Sequence, residues 1–533
     1  MDSILKTKKI NSPLGILFQI PVFLISAFGL LQLVHMFYLS LTDFNGMTYP
    51  KFIWFQNYAE IFKDELVLKS FGNTAIMVLA VTLLLFLTAV LPALFISKLK
   101  LRFGVIVLSA FSAISIFARL PDFFGTLSFD INGMFLENSV NDTISVTQSH
   151  ARLIAIIITW LYCLAPVFAI TYILAKMKHT FAGTAIAVCS IPVLMCFGSG
   201  IQTETVGYPS ANNSADWLYM IIKDYQDVKF AFGCSYSILF VGLAMLMLWC
   251  ALVFFATLGS RRILARVKTD SRGIKMAGYT AFSLSLVFFL IVSFSLVLYL
   301  LKAVTPIEEI YMYPYTCFPR NPTLENFIQL FNFPNGYILP FSGYLYNSFV
   351  AVPLMIMPVC LFVVLPSGVG FSLFKSFKKE KLLLLCFIPF LFLGGLIMLI
   401  KLGIADNYLA YAVDFLSSAQ FFVALFLVWL IVKLVFSGGK TTVGRILLGV
   451  FSLLTSFYAI AAIRGILYVG NTIYSEHLKT WGYFSFYGLR IGVSNANGVL
   501  MLPAILVVLI PPIILFINLY LSYRKSTINT LEA

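Results

Sequence analysis

The sequence predicts an all-α polytopic membrane protein of about twelve transmembrane helices, arranged as two parallel six-helix halves. Three observations carry that prediction. Hydrophobic residues make up 60% of the 533 and charged residues only 11%, with a mean hydropathy of +0.95; a soluble protein keeps about a quarter of its residues charged. Apolar runs of about 20 residues, enough to cross a hydrocarbon core of about 30 Å, recur along the whole length. One compound motif is also written twice, six spans apart.

The runs fall at 14–37, 73–97, 103–121, 153–175, 181–199, 231–258, 277–301, 347–371, 382–402, 416–436, 446–470 and 497–522. In lipid the backbone must satisfy its own hydrogen bonds, so each run is a helix. The first follows Lys6, Lys8 and Lys9 in the manner of a signal peptide, but it is longer than an h-region and reads as a retained anchor. The run 103–121 is the shortest. With the N-terminus inside, the inner segments and adjoining span ends hold 23 of the 36 Lys and Arg, while 18 of the 22 Asp and Glu fall outside. Positive-inside therefore puts both termini in the cytoplasm of a cell-membrane protein. The basic stretch 261–276 links a first half, 1–260, to a second, 277–533. The net charge of +14 is a topology signal and not a nucleic-acid footprint.

The repeated motif comes next. Residues 55–62 read FQNYAEIF, with Asn73-Thr74 at the start of the following run; residues 325–331 read ENFIQLF, with Asn347-Ser348 at the start of theirs. Six spans separate the copies, so both halves enter the membrane the same way round, a parallel repeat with a possible pathway at its seam. The plainer reading is that Asn before a helix is an N-cap and aromatics gather at interfaces.

Chemistry-bearing residues are few. Ionisable groups inside a membrane are the default functional positions. Arg119, seventeen residues past Arg102, and Arg464, nineteen past Arg445, sit about 25 and 28 Å along their helices, near the outer edge. Each reads either as a residue lining the substrate pathway or as an arginine snorkelling to the outer interface. His35 invites the same alternatives. Most of the eight cysteines lie in predicted spans, without disulfide framework or zinc spacing. No nucleophile–base or paired-carboxylate arrangement is recognisable, so neither an enzyme nor a cofactor or metal site is expected. FSGGKTTVGR (436–445) lacks the first glycine of a phosphate loop, because Leu434 stands there, and its flanks are membrane helix.

Several segments resemble one family. MFYLSLTDFNG (36–46), WFQNYAEIF (54–62) and GNTAIMVLAV (72–81) are similar to the start of the first membrane subunit of carbohydrate-uptake ABC transporters of the maltose and glycerol-phosphate type. The late outer loop of that subunit is matched by 207–240. PRNPTLENFIQLF (319–331) with YNSFVAV (346–352) resembles the start of the second subunit, as 402–415 resembles its mid-chain segment and 497–516 its last span. The resemblance implies two permease subunits joined in one chain, forming the translocation pathway for a carbohydrate and served by a separate cytoplasmic ATPase dimer and an extracellular sugar-binding protein.

One departure bears on that expectation. The family couples to its ATPase through a cytoplasmic loop carrying Glu-Ala-Ala. The corresponding places here are AKMKHTFAGTA (175–185), with Lys176, Lys178, Thr180 and Gly183, and VKLVFSGGKTTVGRI (432–446), with Gly438, Gly439, Lys440 and Thr441. Neither contains any acid. The alternative is a permease-derived subunit without ATPase coupling, acting as scaffold or conduit beside a glycosyltransferase or surface-polymer assembly partner.

Overall fold

The structure, a computed structural model, describes residues 17–45, 47–120, 123, 151–176, 229–235, 238–239, 272–312, 318–332, 340–373, 407–416, 419–436, 442–467, 480–482 and 491–532. The predicted spans 181–199 and 382–402, and most of 231–258, lie outside these residues.

The described residues are helical apart from turns and one isolated antiparallel bridge, Thr42 to Phe52. The helices in chain order are α1 (Ile20–Ser40), α2 (Gln56–Ile61), α3 (Glu65–Leu85), α4 (Leu91–Ile96), α5 (Leu101–Phe117), α6 (Ala151–Lys176), α7 (Arg272–Ala303), α8 (Ile307–Met312), α9 (Glu325–Phe331), α10 (Phe341–Tyr346), α11 (Val352–Val359), α12 (Leu365–Leu373), α13 (Leu409–Leu416), α14 (Ala419–Phe436), α15 (Val443–Leu467) and α16 (Ile491–Glu532). Five stretches are long and apolar enough to cross a membrane: Val78–Ile96, Arg272–Ala303, Phe341–Gly370, Val443–Leu467 and Gly492–Tyr523. The chain is a helical, multi-pass membrane protein.

Two of the long rods change pitch instead of breaking. Between α3 and α4, between α10 and α11, and between α11 and α12 the helix widens into a five-residue π turn, at Phe86–Val90, Asn347–Ala351 and Cys360–Val364. Each π turn is followed, with one residue between, by a proline: Pro92, Pro353 and Pro366. The cause is local. A proline ring clashes with the carbonyl four residues back and offers no N–H to it, and a turn one residue wider relieves the clash without ending the rod. The freed carbonyl then needs another donor: four residues before Pro353, the Phe349 carbonyl accepts from the Tyr458 hydroxyl at 3.2 Å.

These turns also expose a repeat that is hard to see in letters. Phe86–Val90 with Leu91-Pro92 recurs as Cys360–Val364 with Leu365-Pro366. The displacement is 274 positions, the same as from Asn73 to Asn347. Asn73 and Asn347 do not open their helices, however. α3 starts at Glu65 and the later rod at Phe341, directly after an extended Pro340. Both rods therefore begin before their Asn-hydroxyl pair, and the expectation of an N-cap there is corrected.

By contacts the chain forms two compact units, residues 34–334 with 485–499, and residues 1–33 with 335–484 and 500–533. Each draws on both halves of the sequence. Within the first, α5 and α3 pack on α6, and α7 lies against α4 and α5. Phe111 meets Phe168 edge-on at 5.2 Å, and Phe103 meets Phe282 at 4.9 Å. Gly104 leaves room for Tyr172, whose ring would stand 2.1 Å from an added Cβ. Within the second, α12 packs on α14, and α15 on α11 and α14. Its core includes Ile356, Cys360, Phe415, Phe421, Val428 and Phe457, none more than 1% exposed. Gly368 accepts Val428 at a distance no side chain would allow.

Candidate functional site

The twice-written asparagine has one structural job, performed twice. A helix that ends at a membrane edge leaves its last carbonyls without donors. Asn57, the second residue of α2, is buried, and its Nδ2 donates to the Ser40 carbonyl (2.9 Å) and the Thr42 carbonyl (2.8 Å), closing the end of α1. Asn326, the second residue of α9, is buried, and its Nδ2 donates to the Ala303 carbonyl (3.0 Å) and the Thr305 carbonyl (2.7 Å), closing the end of α7. The surroundings match as well. Thr42 and Thr305 each fold their hydroxyl back onto the preceding turn. Leu41 accepts from the Ile53 amide as Val304 accepts from that of Thr323. Ile61 and Leu330, four residues past each asparagine, are both buried.

The copies then diverge. On α2 Gln56 reaches Glu60, while on α9 Gln329 reaches Glu325, the same bridge with its residues exchanged. In the first copy Ser235 adds a second donor to the Ser40 carbonyl, and the Ser40 hydroxyl meets that of Tyr58 at 2.7 Å. Burial raises the Tyr58 phenol above its ordinary value, partly offset by the bond to Ser40. In the second copy Gly492 lies flat on the Asn326 amide, since a Cβ there would come within 2.7 Å of Nδ2.

Beside Asn326, in the same compact unit, lies a polar cluster that sequence reasoning missed. At the head of α16, Ser494, Asn495 and Asn497 are all at most 1% exposed. The Asn495 amide donates to the Tyr299 carbonyl at 3.3 Å, and the Tyr299 hydroxyl to the Ser494 carbonyl at 3.4 Å. Lys302, also buried, occupies the last turn of α7, where the helix dipole favours a cation. The available signal was SNAN (494–497), three polar residues in four ahead of an apolar run.

The predicted pathway arginines belong to different compact units. Arg119 is half-buried just past α5, its guanidinium 4.6 Å from the centre of the Tyr162 ring. Arg464 is 4% exposed near the end of α15 and donates to the Gln420 side chain at the start of α14. A side chain this deep and this bonded is packed inside the protein. The next residue, Gly465, accepts the hydroxyl of Ser348 at 2.7 Å on its carbonyl, and Ser348 accepts the Trp481 amide at 2.8 Å. An added Cβ at Gly465 would stand 2.6 Å from the Ser348 carbonyl oxygen. Arg445, at the other end of α15, is also buried, donating to the Leu434 carbonyl at 2.8 Å and lying over Tyr523.

Of the coupling-loop positions, Lys176 is the last residue of α6; Lys178, Thr180, Gly183, Gly438, Gly439, Lys440 and Thr441 lie outside the described residues. Among the described residues no three His, Cys, Asp or Glu side chains gather as metal ligands. What these groups offer is hydrogen bonding, at buried positions in a membrane protein, where polar groups are costly and attend function. No protein-family model, curated protein or solved structure matches the chain.

Proposed function

We propose that this chain is the membrane component of a carbohydrate transport system of the ABC type, two permease-like halves of about six spans each fused in one polypeptide. It sits in the cell membrane of a bacterium with both termini in the cytoplasm and forms the pathway for an oligosaccharide. A cytoplasmic ATPase dimer and an extracellular sugar-binding protein complete the system. The observation that carries this reading is the duplicated asparagine clamp, recurring after 269 positions, followed by matching π turns that recur after 274. A parallel internal repeat of this kind is a recurrent plan of transporters. The buried polar groups around Asn495 and Arg464 supply hydrogen-bonding capacity of the sort a sugar pathway needs, and Arg119 is a further lining candidate.

A second reading is favoured by one observation. The coupling-loop places contain no acid and no Glu-Ala-Ala. On that reading the permease scaffold is retained without its ATPase, as a conduit beside a glycosyltransferase or surface-polymer assembly partner. Gentle solubilisation from the native membrane, followed by identification of what co-purifies, separates the two. A stoichiometric ATPase whose turnover rises with a sugar-loaded binding protein supports transport. A glycosyltransferase with no ATPase overturns it in favour of the second reading.

A further inference from the structure

The loop between α1 and α2 carries a feature that the fold does not require. Trp54 has φ of 56°, the sole non-glycine residue with positive φ among the described residues. An L side chain is strained in that conformation, and a strained residue held in place points to a use. The duplicated clamp identifies what is extra. From Ile53, whose amide bonds Leu41, to Asn57 is four steps; from Thr323, whose amide bonds Val304, to Asn326 is three. The second copy closes its helix end without the additional residue.

The Trp54 side chain is 66% exposed and heads a chain of rings. Trp54 meets Phe52 at 5.9 Å, Phe52 meets Tyr38 edge-on at 5.4 Å, and Tyr38 stacks on His35 at 6.5 Å. Tyr49 and Met47, nearer the loop tip, are 94% and 83% exposed. The loop is a built object: the Thr42–Phe52 bridge closes it, Asp43 bonds the Lys51 amide, and Asn45 Oδ1 accepts from the Met47 and Thr48 amides. The ladder continues onto the C-terminal turns of α1, which carry no Lys, Arg, Asp or Glu and expose Val34 and Phe37. That exposed flank is where a membrane helix meets lipid.

We infer that Tyr49, Phe52 and Trp54 form an aromatic anchor that lies in the membrane–water interface at the end of α1, among the lipid headgroups. The continuity of the ladder with the apolar flank of α1 selects lipid as the occupant, because Trp and Tyr prefer that depth. The strained backbone at Trp54 turns the ring back toward the helix end and keeps it beside Phe52. The inference rests on the membrane reading and is independent of what the protein transports.

The test uses the full chain in phosphatidylcholine vesicles. Tryptophan emission of the parent minus that of Trp54→Phe isolates the Trp54 share while leaving the other tryptophans in place. The expected result is loss of that share to a headgroup-borne nitroxide, together with protection from aqueous iodide. A second variant, Tyr49→Trp in the Trp54→Phe background, is expected to behave the same way. Free access to iodide with no nitroxide quenching places the ring in water and overturns the inference, and protection from both quenchers overturns it in favour of a protein cover. Quenching of the remaining tryptophans by lipids brominated along their acyl chains reports separately whether the protein is in the bilayer.

Discussion

Removing the two clamp asparagines is predicted to cost unequal amounts, and the inequality follows from the hydrogen bonds. Asn57→Ala leaves the Thr42 carbonyl without the donor it has among the described residues, while the Ser40 carbonyl keeps Ser235. Asn326→Ala strips both the Ala303 and the Thr305 carbonyl of the donors they have among the described residues. A buried acceptor left without a partner costs about 1–3 kcal/mol. Taking about 1.5–2 kcal/mol for each orphaned carbonyl, the first change should loosen its helix end by about 2 kcal/mol and the second by about 3–4 kcal/mol. Hydrogen exchange in detergent or nanodiscs reads these values directly, since every 1.4 kcal/mol is about tenfold in an opening equilibrium. Exchange at the Thr42 and Ile53 amides should quicken about 30-fold in Asn57→Ala, and at the Thr305 and Thr323 amides a few hundred-fold in Asn326→Ala. Each variant should leave the other copy untouched. Unchanged protection at both sites, or equal loosening of both ends by either variant, refutes the clamp as described.

Three further outcomes are expected. Gly465→Ala forces a methyl to 2.6 Å from the Ser348 carbonyl oxygen and 2.7 Å from its Cα, backbone that cannot step aside; thermal unfolding should show a loss of about 3 kcal/mol or more, and a loss below about 1 kcal/mol would contradict the contact. The double replacement Arg464→Leu with Gln420→Leu removes both partners of a buried bond at once, which is often close to neutral for stability; unfolding should move by about 1 kcal/mol or less while solute uptake falls, and retained uptake would remove Arg464 from the pathway. Tyr58 gives a pH signature. Because burial raises its pKa in the folded protein, its contribution is complete below the unfolded value near 10 and declines as pH rises through the folded value. The parent should outlast Tyr58→Phe by about 1 kcal/mol at pH 8 and lose that advantage above about pH 10; an advantage that persists undiminished to pH 11 would mean that burial does not raise the phenol above its ordinary value.

How far the sequence could be read depended on the reach of each interaction. Membrane helices were legible because hydropathy is local, and α6, α7, α14 and α15 fall within a few residues of the predicted spans. The recurrence of Asn57 and Asn326 was also visible, but their task was not. Their acceptors lie 15 to 23 residues upstream, so no local rule connects them, and the nearest local rule, an N-cap, is wrong. The π turns carried a signal, Val-Leu-Pro at 90–92 and again at 364–366, that becomes readable only once the cost of proline to a turn is considered. For Arg464 the letters give depth along the helix, which agrees with its place in the last turn of α15, and not the side it faces. The head of α16 is hard to see in the letters because Asn497 borders the apolar run 497–522, which separates it from Ser494 and Asn495.

The buried bond from the Gln19 amide to the Ser367 carbonyl spans 348 residues. A ribosome adding about 5–20 residues per second takes roughly 20 to 70 s to cover that interval. Throughout that time the carbonyl that receives Gln19 has not been made. This contact therefore forms late, and the packing that depends on it waits until Ser367 has been added.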